Sequence, residues 1–212
     1  MAKKDVKILG IDVSHWQGSI NFKKVKAAGY EFVIIKAGGS DNGYYTDKKF
    51  ATYYKDAKAA GLHVGAYYFA GKKFLGAAEG KKCAQHFLQI LGTNAFDYPV
   101  FVDIETTPTT KKADATAAAI AFCETMEGAK WWCGIYAADI AGFKNRLNMD
   151  KLTAYSFWVA DYTDPVKYCT GYQMRQYSSK GKINGISCYV DLDFSLVDYP
   201  VTMKKRGLNN CK

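Results

Sequence analysis

The sequence lacks the motifs that are typical of metal-binding, membrane-spanning and nucleic-acid-binding proteins. Its three histidines form neither H-x-H nor H-E-x-x-H, so a metal site is only weakly indicated. No apolar run approaches the roughly 18 residues of a membrane span. None of its cysteines stand in C-x-x-C, and no nucleic-acid-binding motif accompanies the net charge of +9. We therefore expect no metal, no membrane insertion and no nucleic-acid partner.

Linkers, internal repeats and low-complexity tracts are also absent from the 212 residues, a length that suits one sizeable core. We predict a single domain over residues 1–212, with its body over about residues 6–196. The tail, residues 197–212, either packs on that body or is a linker stub. The opening MAKKDVKILG has lysines but no apolar core, so we expect no signal peptide.

Strand-like and helix-like segments alternate along the chain. Apolar residues at helical spacing predict helices over residues 47–61, 76–92 and 113–127. The strand-like runs are residues 6–14, 31–39, 63–71, 98–106, 132–139, 156–163, 172–179 and 188–195.

This alternation predicts a parallel sheet built from right-handed β-α-β units, and closure of that sheet would remove its exposed edges. After about residue 156 only short loops separate the strands, which leaves little room for full helices. We therefore predict an irregular (β/α) barrel of about eight strands with five or six helices, fewer than the symmetric eight.

Carboxylates stand near the ends of several predicted strands. Asp103 and Glu105 in YPVFVDIETTP alternate along one strand and would share a face, and Asp12 and Asp191 have similar positions in two others. Parallel barrels build their sites where the strands end. Crowded carboxyls raise the pKa of one member, which yields the protonated acid and ionised partner that glycosidic bond cleavage needs. A lone D-x-E is as readily a helix cap or an ion pair, but the repetition favours a site.

Aromatic residues are also frequent near the predicted strand ends, where sugar rings could stack on them. For any one of them, packing in the core is the simpler interpretation. They are Tyr67, Tyr68, Phe69, Tyr136, Trp158, Tyr162 and Tyr177. Lys36 and Asp161 lie near the ends of two further strands, and we include both with Tyr67, Tyr136 and Trp158 among the candidate substrate-binding residues.

The lysine pairs and two of the cysteines each allow more than one interpretation. The paired lysines are either solvated helix faces or a means of attraction to a polyanion such as a bacterial wall. Cys169 and Cys188 bracket a predicted hairpin and could form a disulfide.

Motifs along the whole chain resemble those of glycoside hydrolase family 25, the Chalaropsis-type lysozymes, over about residues 6–196. The opening D-V-S-x-x-Q-G, the central D-x-E and the closing V-D occur together in the right order. In this sequence they read GIDVSHWQG (10–18), FVIIKA (32–37), AGLHVGAYYF (60–69), PVFVDIE (99–105), IY (135–136), FWVADY (157–162), RQYS (175–178) and GISCYVD (185–191).

The resemblance implies an N-acetylmuramidase that cleaves the β-1,4 bond between N-acetylmuramic acid and N-acetylglucosamine in bacterial peptidoglycan. It implies Glu105 as the general acid, with Asp12, Asp103 and Asp191 completing the acidic cluster. Lys36, Tyr136 and Gln176 match positions that look like substrate contacts. We expect no cofactor, a monomer, and action at the bacterial cell wall after either phage-type release from the cytoplasm or secretion as a mature form.

The sequence departs from the family pattern at four places, one of which is the loop after Lys36, which reads AGGSD. Tyr68 stands where the family often has His, Arg175 where it often has Trp, and Asp193 where it usually has Asn. Two other interpretations stay open: a catalytically dead carbohydrate-binding barrel and a metal-dependent deacetylase or amidase. The mechanism is open as well. Either Asp103 positions the substrate's 2-acetamido group for attack, or Asp12 or Asp191 activates a water.

Overall fold

A computed structural model describes residues 7–211, and it consists of nine strands and five α-helices. The strands are β1 (Ile8–Val13), β2 (Phe32–Gly39), β3 (Tyr45–Thr46), β4 (His63–Phe69), β5 (Val100–Asp103), β6 (Cys133–Ala138), β7 (Ser156–Ala160), β8 (Met174–Gly181) and β9 (Val190–Ser195). The helices are α1 (Phe22–Ala27), α2 (Phe50–Ala59), α3 (Ala77–Leu91), α4 (Lys112–Gly128) and α5 (Tyr199–Arg206). Short 3-10 or π-helical turns occupy His15–Gln17, Thr109–Lys111, Asp139–Lys144 and Met149–Lys151.

Eight of these strands close into a barrel in the order β1-β2-β4-β5-β6-β7-β8-β9, with β9 returning to β1. β3 is an additional short strand paired to the end of β2. The predicted irregular barrel is therefore confirmed. Among residues 7–211 no helix is both long enough and apolar enough to cross a membrane.

The predicted parallel pairing does not extend to the last strand. β9 runs antiparallel to both β8 and β1, whereas β1, β2 and β4–β8 are parallel. Only residues 182–189 separate β8 from β9, which is too short for the crossover that a parallel pair needs. Because β9 is reversed, its first residues lie at the barrel end where the other strands finish.

The barrel interior is filled by large side chains that point inward from alternate positions. Phe32 and Ile34 from β2, Phe101 from β5 and Trp158 from β7 belong to this inner cluster. Gly10 on β1 leaves the room that the Phe32 ring occupies, since a Cβ at Gly10 would stand 2.3 Å from that ring. A second and larger apolar layer lies between the barrel and α1–α4.

The tail closes the barrel end opposite the ends of the parallel strands. Tyr199 and Met203 of α5 are fully buried in the inner cluster. The Asn209 side chain donates to the carbonyl of Tyr98 (2.8 Å) and accepts from the backbone N–H of Trp132 (2.6 Å). Residues 199–209 of the tail therefore pack on the barrel.

Cys169 and Cys188, which could have paired, form no disulfide. All six cysteines are free thiols, with Cys169 buried and Cys188 exposed. The backbone N–H of Cys169 is bound to the carboxylate of Asp139 (2.7 Å). This contact holds the backbone of Cys169 in the body.

Candidate active site

An open cavity of about 330 Å³, here called the acid cavity, lies at the mouth of the barrel where the parallel strands end. All four predicted acids line it, as do five of the six predicted substrate-binding residues. Its lining is Asp12, Ser14, Trp16, Gln17, Lys36, Tyr67, Phe69, Asp103, Glu105, Tyr136, Trp158, Tyr162, Gln176 and Asp191. Asp161 is absent from this lining and faces a neighbouring cavity that Glu105 and Tyr136 also line.

Strand pairing brings the acids together from distant parts of the chain. Asp12 near the end of β1 pairs with Asp191 at the start of the antiparallel β9. Asp103 is the last residue of β5, and Glu105 follows two residues beyond that strand. Reversal of β9 is therefore what places Asp191 at the same mouth as the other acids.

Asp12 is buried among other carboxyls. Burial raises the pKa of Asp12 well above its ordinary value, and repulsion from Asp193 and Asp191 raises it further. A hydrogen bond from Gln176 Nε2 to Asp12 Oδ2 (2.7 Å) acts in the opposite direction. Asp193 is fully buried, and it accepts a hydrogen bond from the indole Nε1 of Trp158 (2.8 Å).

Asp103 is only 4% exposed, and its Oδ1 atom has no hydrogen-bond partner among the described residues. Burial raises the pKa of Asp103 well above its usual range, and repulsion from Glu105 adds to that effect. Lys36 opposes it as a nearby cation. A buried carboxylate oxygen without a donor is costly unless a ligand supplies one.

Glu105 combines access to solvent with a raised pKa. Its side chain is exposed at the cavity, yet the surrounding protein removes enough water to raise the pKa of the carboxyl. Lys36, Arg146 and the Tyr136 hydroxyl partly offset this. Burial and the proximity of Glu105 also raise the pKa of Asp191 to about 6. Perturbed carboxyls in a cleft are characteristic of catalytic sites.

Gln176 links two tyrosines to the acid cluster. Its Oε1 atom accepts hydrogen bonds from the hydroxyls of Tyr136 (3.1 Å) and Tyr162 (2.7 Å). Its Nε2 atom donates to Asp12, so the two hydroxyls fix which way the amide points. Lys36 lies 4.3 Å from the centre of the Phe69 ring, which holds its ammonium group at the cavity wall.

Trp16 was missed as a candidate. It is 77% exposed and lines the acid cavity. Its turn is held by a capping box between Ser14 and Gln17 and by Asp47, which accepts from His15 Nδ1 at 2.7 Å. A single aromatic residue in a loop has no periodic pattern, so only its place inside the DVSHWQG motif could have indicated it.

Two of the aromatic residues near strand ends pack away from the cavity. Tyr68 is fully buried against α3 and α4, where its ring contacts Phe87 and Phe122. Tyr177 packs on Phe194. For these two residues, packing was the right interpretation.

Within residues 7–211 no group of three or more His, Cys, Asp or Glu side chains has the geometry to hold a metal ion.

A barrel mouth lined by carboxyls of raised pKa and by exposed aromatic rings is the kind of site that glycoside hydrolases use. Comparison with known proteins specifies the class further. The family model "Glycosyl hydrolases family 25" matches residues 11–186. The chain therefore belongs to this family, which confirms the resemblance seen in the sequence motifs.

Curated relatives and solved structures agree with this assignment. The chain is 30% identical over 185 residues to the autolytic lysozyme of Clostridium acetobutylicum, covering 87% of this chain and 54% of that protein. It is 32% identical over 211 residues to lysozyme M1 of Streptomyces globisporus, covering 87% and 66%. The crystal structure of the CTP1L endolysin superposes with a TM-score of 0.77 at 30% identity, covering 92% and 68%. The chain thus spans about half to two thirds of the length of these curated relatives.

Proposed function

We propose that this protein is a peptidoglycan hydrolase that cleaves the β-1,4 bond between N-acetylmuramic acid and N-acetylglucosamine. The convergence of Asp12, Asp103, Glu105 and Asp191 on one cavity carries the proposal. The relatives support it, since two are named lysozymes and one an endolysin. Lys36, Tyr67, Tyr136, Trp158, Asp161 and Gln176 are proposed to contact the glycan.

Glu105 is the proposed general acid. Its raised pKa favours the protonated form, and its exposure lets it reach the oxygen of the bond to be broken. As the bond between C1 and O4 breaks, the electron pair stays on O4 and the Glu105 proton moves to it. Positive charge then develops on the sugar ring, where the surrounding carboxylates stabilise it.

The Oδ1 atom of Asp103, which has no hydrogen-bond partner within residues 7–211, favours one of the two routes for the second half of the reaction. A substrate acetamido N–H would supply the missing donor, and the acetamido carbonyl would then be held for attack on C1. This route retains the anomeric configuration, whereas activation of water by Asp12 or Asp191 inverts it. Proton NMR of the first product formed separates the two, because the retaining route releases the β-anomer.

Mass spectrometry of digested peptidoglycan tests the proposed bond. Cleavage as proposed leaves muramic acid at every new reducing end, which borohydride reduction labels. Reducing-end glucosamine would indicate the other glycosidic bond, and free stem peptides would indicate an amidase; either result contradicts the proposal. A digest with the Glu105→Gln variant is the control.

The proposed place of action is the bacterial cell wall, where anionic polymers would attract a chain of net charge +9. Wall lysis that slows as salt is added, with no change on a small soluble substrate, supports this attraction. Equal lysis at low and high salt contradicts it. A monomeric single domain and the absence of a nucleic-acid partner stay predictions, which sedimentation and a nucleic-acid binding assay can test.

A further inference from the structure

A second cavity of about 440 Å³, here called the side cavity, lies beside the acid cavity. The two cavities share Glu105, Tyr136 and Tyr162. Asp12, Asp103 and Asp191 line only the acid cavity. Of the four acids, Glu105 is therefore the one that lines both cavities, and it stands at their boundary.

The position of Glu105 between the two cavities indicates in which direction the glycan chain runs across the site. The sugar that is attacked must lie beside the carboxylates that stabilise its ring, and the leaving sugar must lie where the general acid reaches its O4 atom. Resting on the function proposed above, we infer that the side cavity is the subsite for the leaving N-acetylglucosamine unit. The non-reducing part of the chain then extends through the acid cavity towards Trp16.

The floor of the side cavity suits a sugar of this kind. Ala138, Ile140 and Ala160 line it, and Ile140 is 41% exposed. Such a surface packs against the C–H face of a pyranose and the methyl of an N-acetyl group. Asp161 and Lys167 also line it and offer an acceptor and a donor for the sugar hydroxyls.

One wall of the side cavity is the loop of residues 161–169. A buried arginine, Arg175, forms hydrogen bonds to the first residues of this loop. Arg175 is 7% exposed and lies on β8. Its guanidinium donates to the carbonyl of Asp161 (3.0 Å), to the carboxylate of Asp164 (3.2 Å) and to the carbonyl of Thr163. These contacts give a role to the arginine that stands where the family often has tryptophan.

A buried aspartate holds the last part of the same loop. Asp139 is 3% exposed, and its carboxylate accepts from the backbone N–H groups of Lys167 (3.1 Å), Tyr168 (3.1 Å) and Cys169 (2.7 Å). Burying a charged group costs free energy unless hydrogen bonds compensate it. Here the buried side chains of Asp139 and Arg175 both form their hydrogen bonds with this one surface loop. The loop is therefore a preorganised wall, and Asp139 and Arg175 are positioning residues for the subsite.

Two substrates with the same attacked sugar and different leaving groups test this inference. One is the tetrasaccharide of alternating N-acetylglucosamine and N-acetylmuramic acid, whose leaving group fills the side cavity. The other is the β-fluoride of the N-acetylglucosaminyl-N-acetylmuramic acid disaccharide, whose leaving group is one atom. Ile140→Ser is expected to lower kcat/KM about tenfold for the tetrasaccharide and much less for the fluoride. Leu196→Ser, a matched change at 39% exposure beyond the end of β9, should alter neither.

The second variant, Asp139→Asn, removes the carboxylate that holds the loop and should produce the same selective loss. Equal losses on both substrates, or no loss on the tetrasaccharide for Ile140→Ser, would overturn the inference while leaving the proposed function intact. A wild-type protein that cleaves neither substrate nor cell walls would refute the proposed function, and the inference with it.

Discussion

The two ends of the barrel are built by the same strands but from different side chains. Along β2 the inward residues run Phe32, Ile34 and Lys36, so the strand begins apolar and ends charged. β5 repeats this with Phe101 followed by Asp103. At the closed end, aromatic rings exclude water. At the open end, carboxyls lie close together, and their burial raises the pKa values of Asp12 and Asp103. The residues that stabilise the fold and the candidate catalytic residues therefore lie at opposite ends of the barrel axis.

The largest expected effect is at the open end. Glu105→Gln should reduce wall hydrolysis by about 10²- to 10⁴-fold, since the amide has no proton to donate to the leaving oxygen. The temperature of thermal unfolding should not fall, because Glu105 is exposed and its raised pKa means that the fold does not favour its ionised form. Glu124→Gln, an exposed change on α4, is the control for both measurements. Normal hydrolysis by Glu105→Gln would mean that the open end does not work as an acid site.

At the closed end, Tyr199→Ala should lower the free energy of unfolding by about 3–5 kcal/mol, as expected for emptying a buried aromatic site. The Tyr199 ring lies 5.3 Å from that of Tyr98 and 5.6 Å from that of Trp132. Denaturant unfolding measures the loss. Tyr199→Phe should cost much less than Tyr199→Ala, since it keeps the buried ring. Equal losses in the two variants would show that the hydroxyl, and not the ring, stabilises this end.

Asn209 tests whether hydrogen bonds also stabilise the closed end. Asn209→Ala should cost about 2–3 kcal/mol, because it removes bonds to Tyr98 and Trp132 and places alanine at a φ of 55°. Asn209→Gly removes the same bonds without the backbone strain, so it should cost less. If the glycine variant proves the less stable, the backbone part of this explanation is wrong.

The smallest expected effect is a pH-dependent gain of stability at the open end. The pKa of Asp191 is raised to about 6 in the folded protein, so the folded state binds its proton more tightly than the unfolded state does. Stability is therefore lost as pH rises through this pKa, and Asp191→Asn should recover about 1 kcal/mol at pH about 7.5. The gain should shrink at pH about 4.5, where the carboxyl is protonated.

Thermal unfolding of wild type and Asp191→Asn at both pH values measures this gain, with the exposed Asp56→Asn on α2 as control. A gain that is equal at both pH values would not come from the titration of Asp191.

Much of the open end was predictable because strand alternation is a local pattern. Asp12, Asp103 and Gln176 each follow inward apolar positions on their own strand, so their side of the sheet could be predicted. Glu105 lies beyond the end of β5, where alternation no longer applies, and its motif rather than its strand indicated it. Trp16 belongs to a loop with no period.

The closed end and the side cavity were not predictable in the same way. The plug by α5 depends on Tyr199 meeting Tyr98 and Trp132, which are far away in the chain. In the sequence Arg175 is only a departure from the family pattern and Asp139 only the last residue of a predicted strand, and the folded loop shows what they bind. The short connection from β8 makes β9 antiparallel to it, and only the pairing of β9 with β1 shows that this direction brings Asp191 next to Asp12.

The sequence by itself determined which residues alternate inward, where the strands stop, and the set of acids that ends them, because these depend on neighbours within a few positions. Only the tertiary structure decided which acids face one another, that their pKa values are raised, and that Glu105 stands between two cavities. Those properties depend on distances between residues remote in the chain and on how much water the closed barrel excludes.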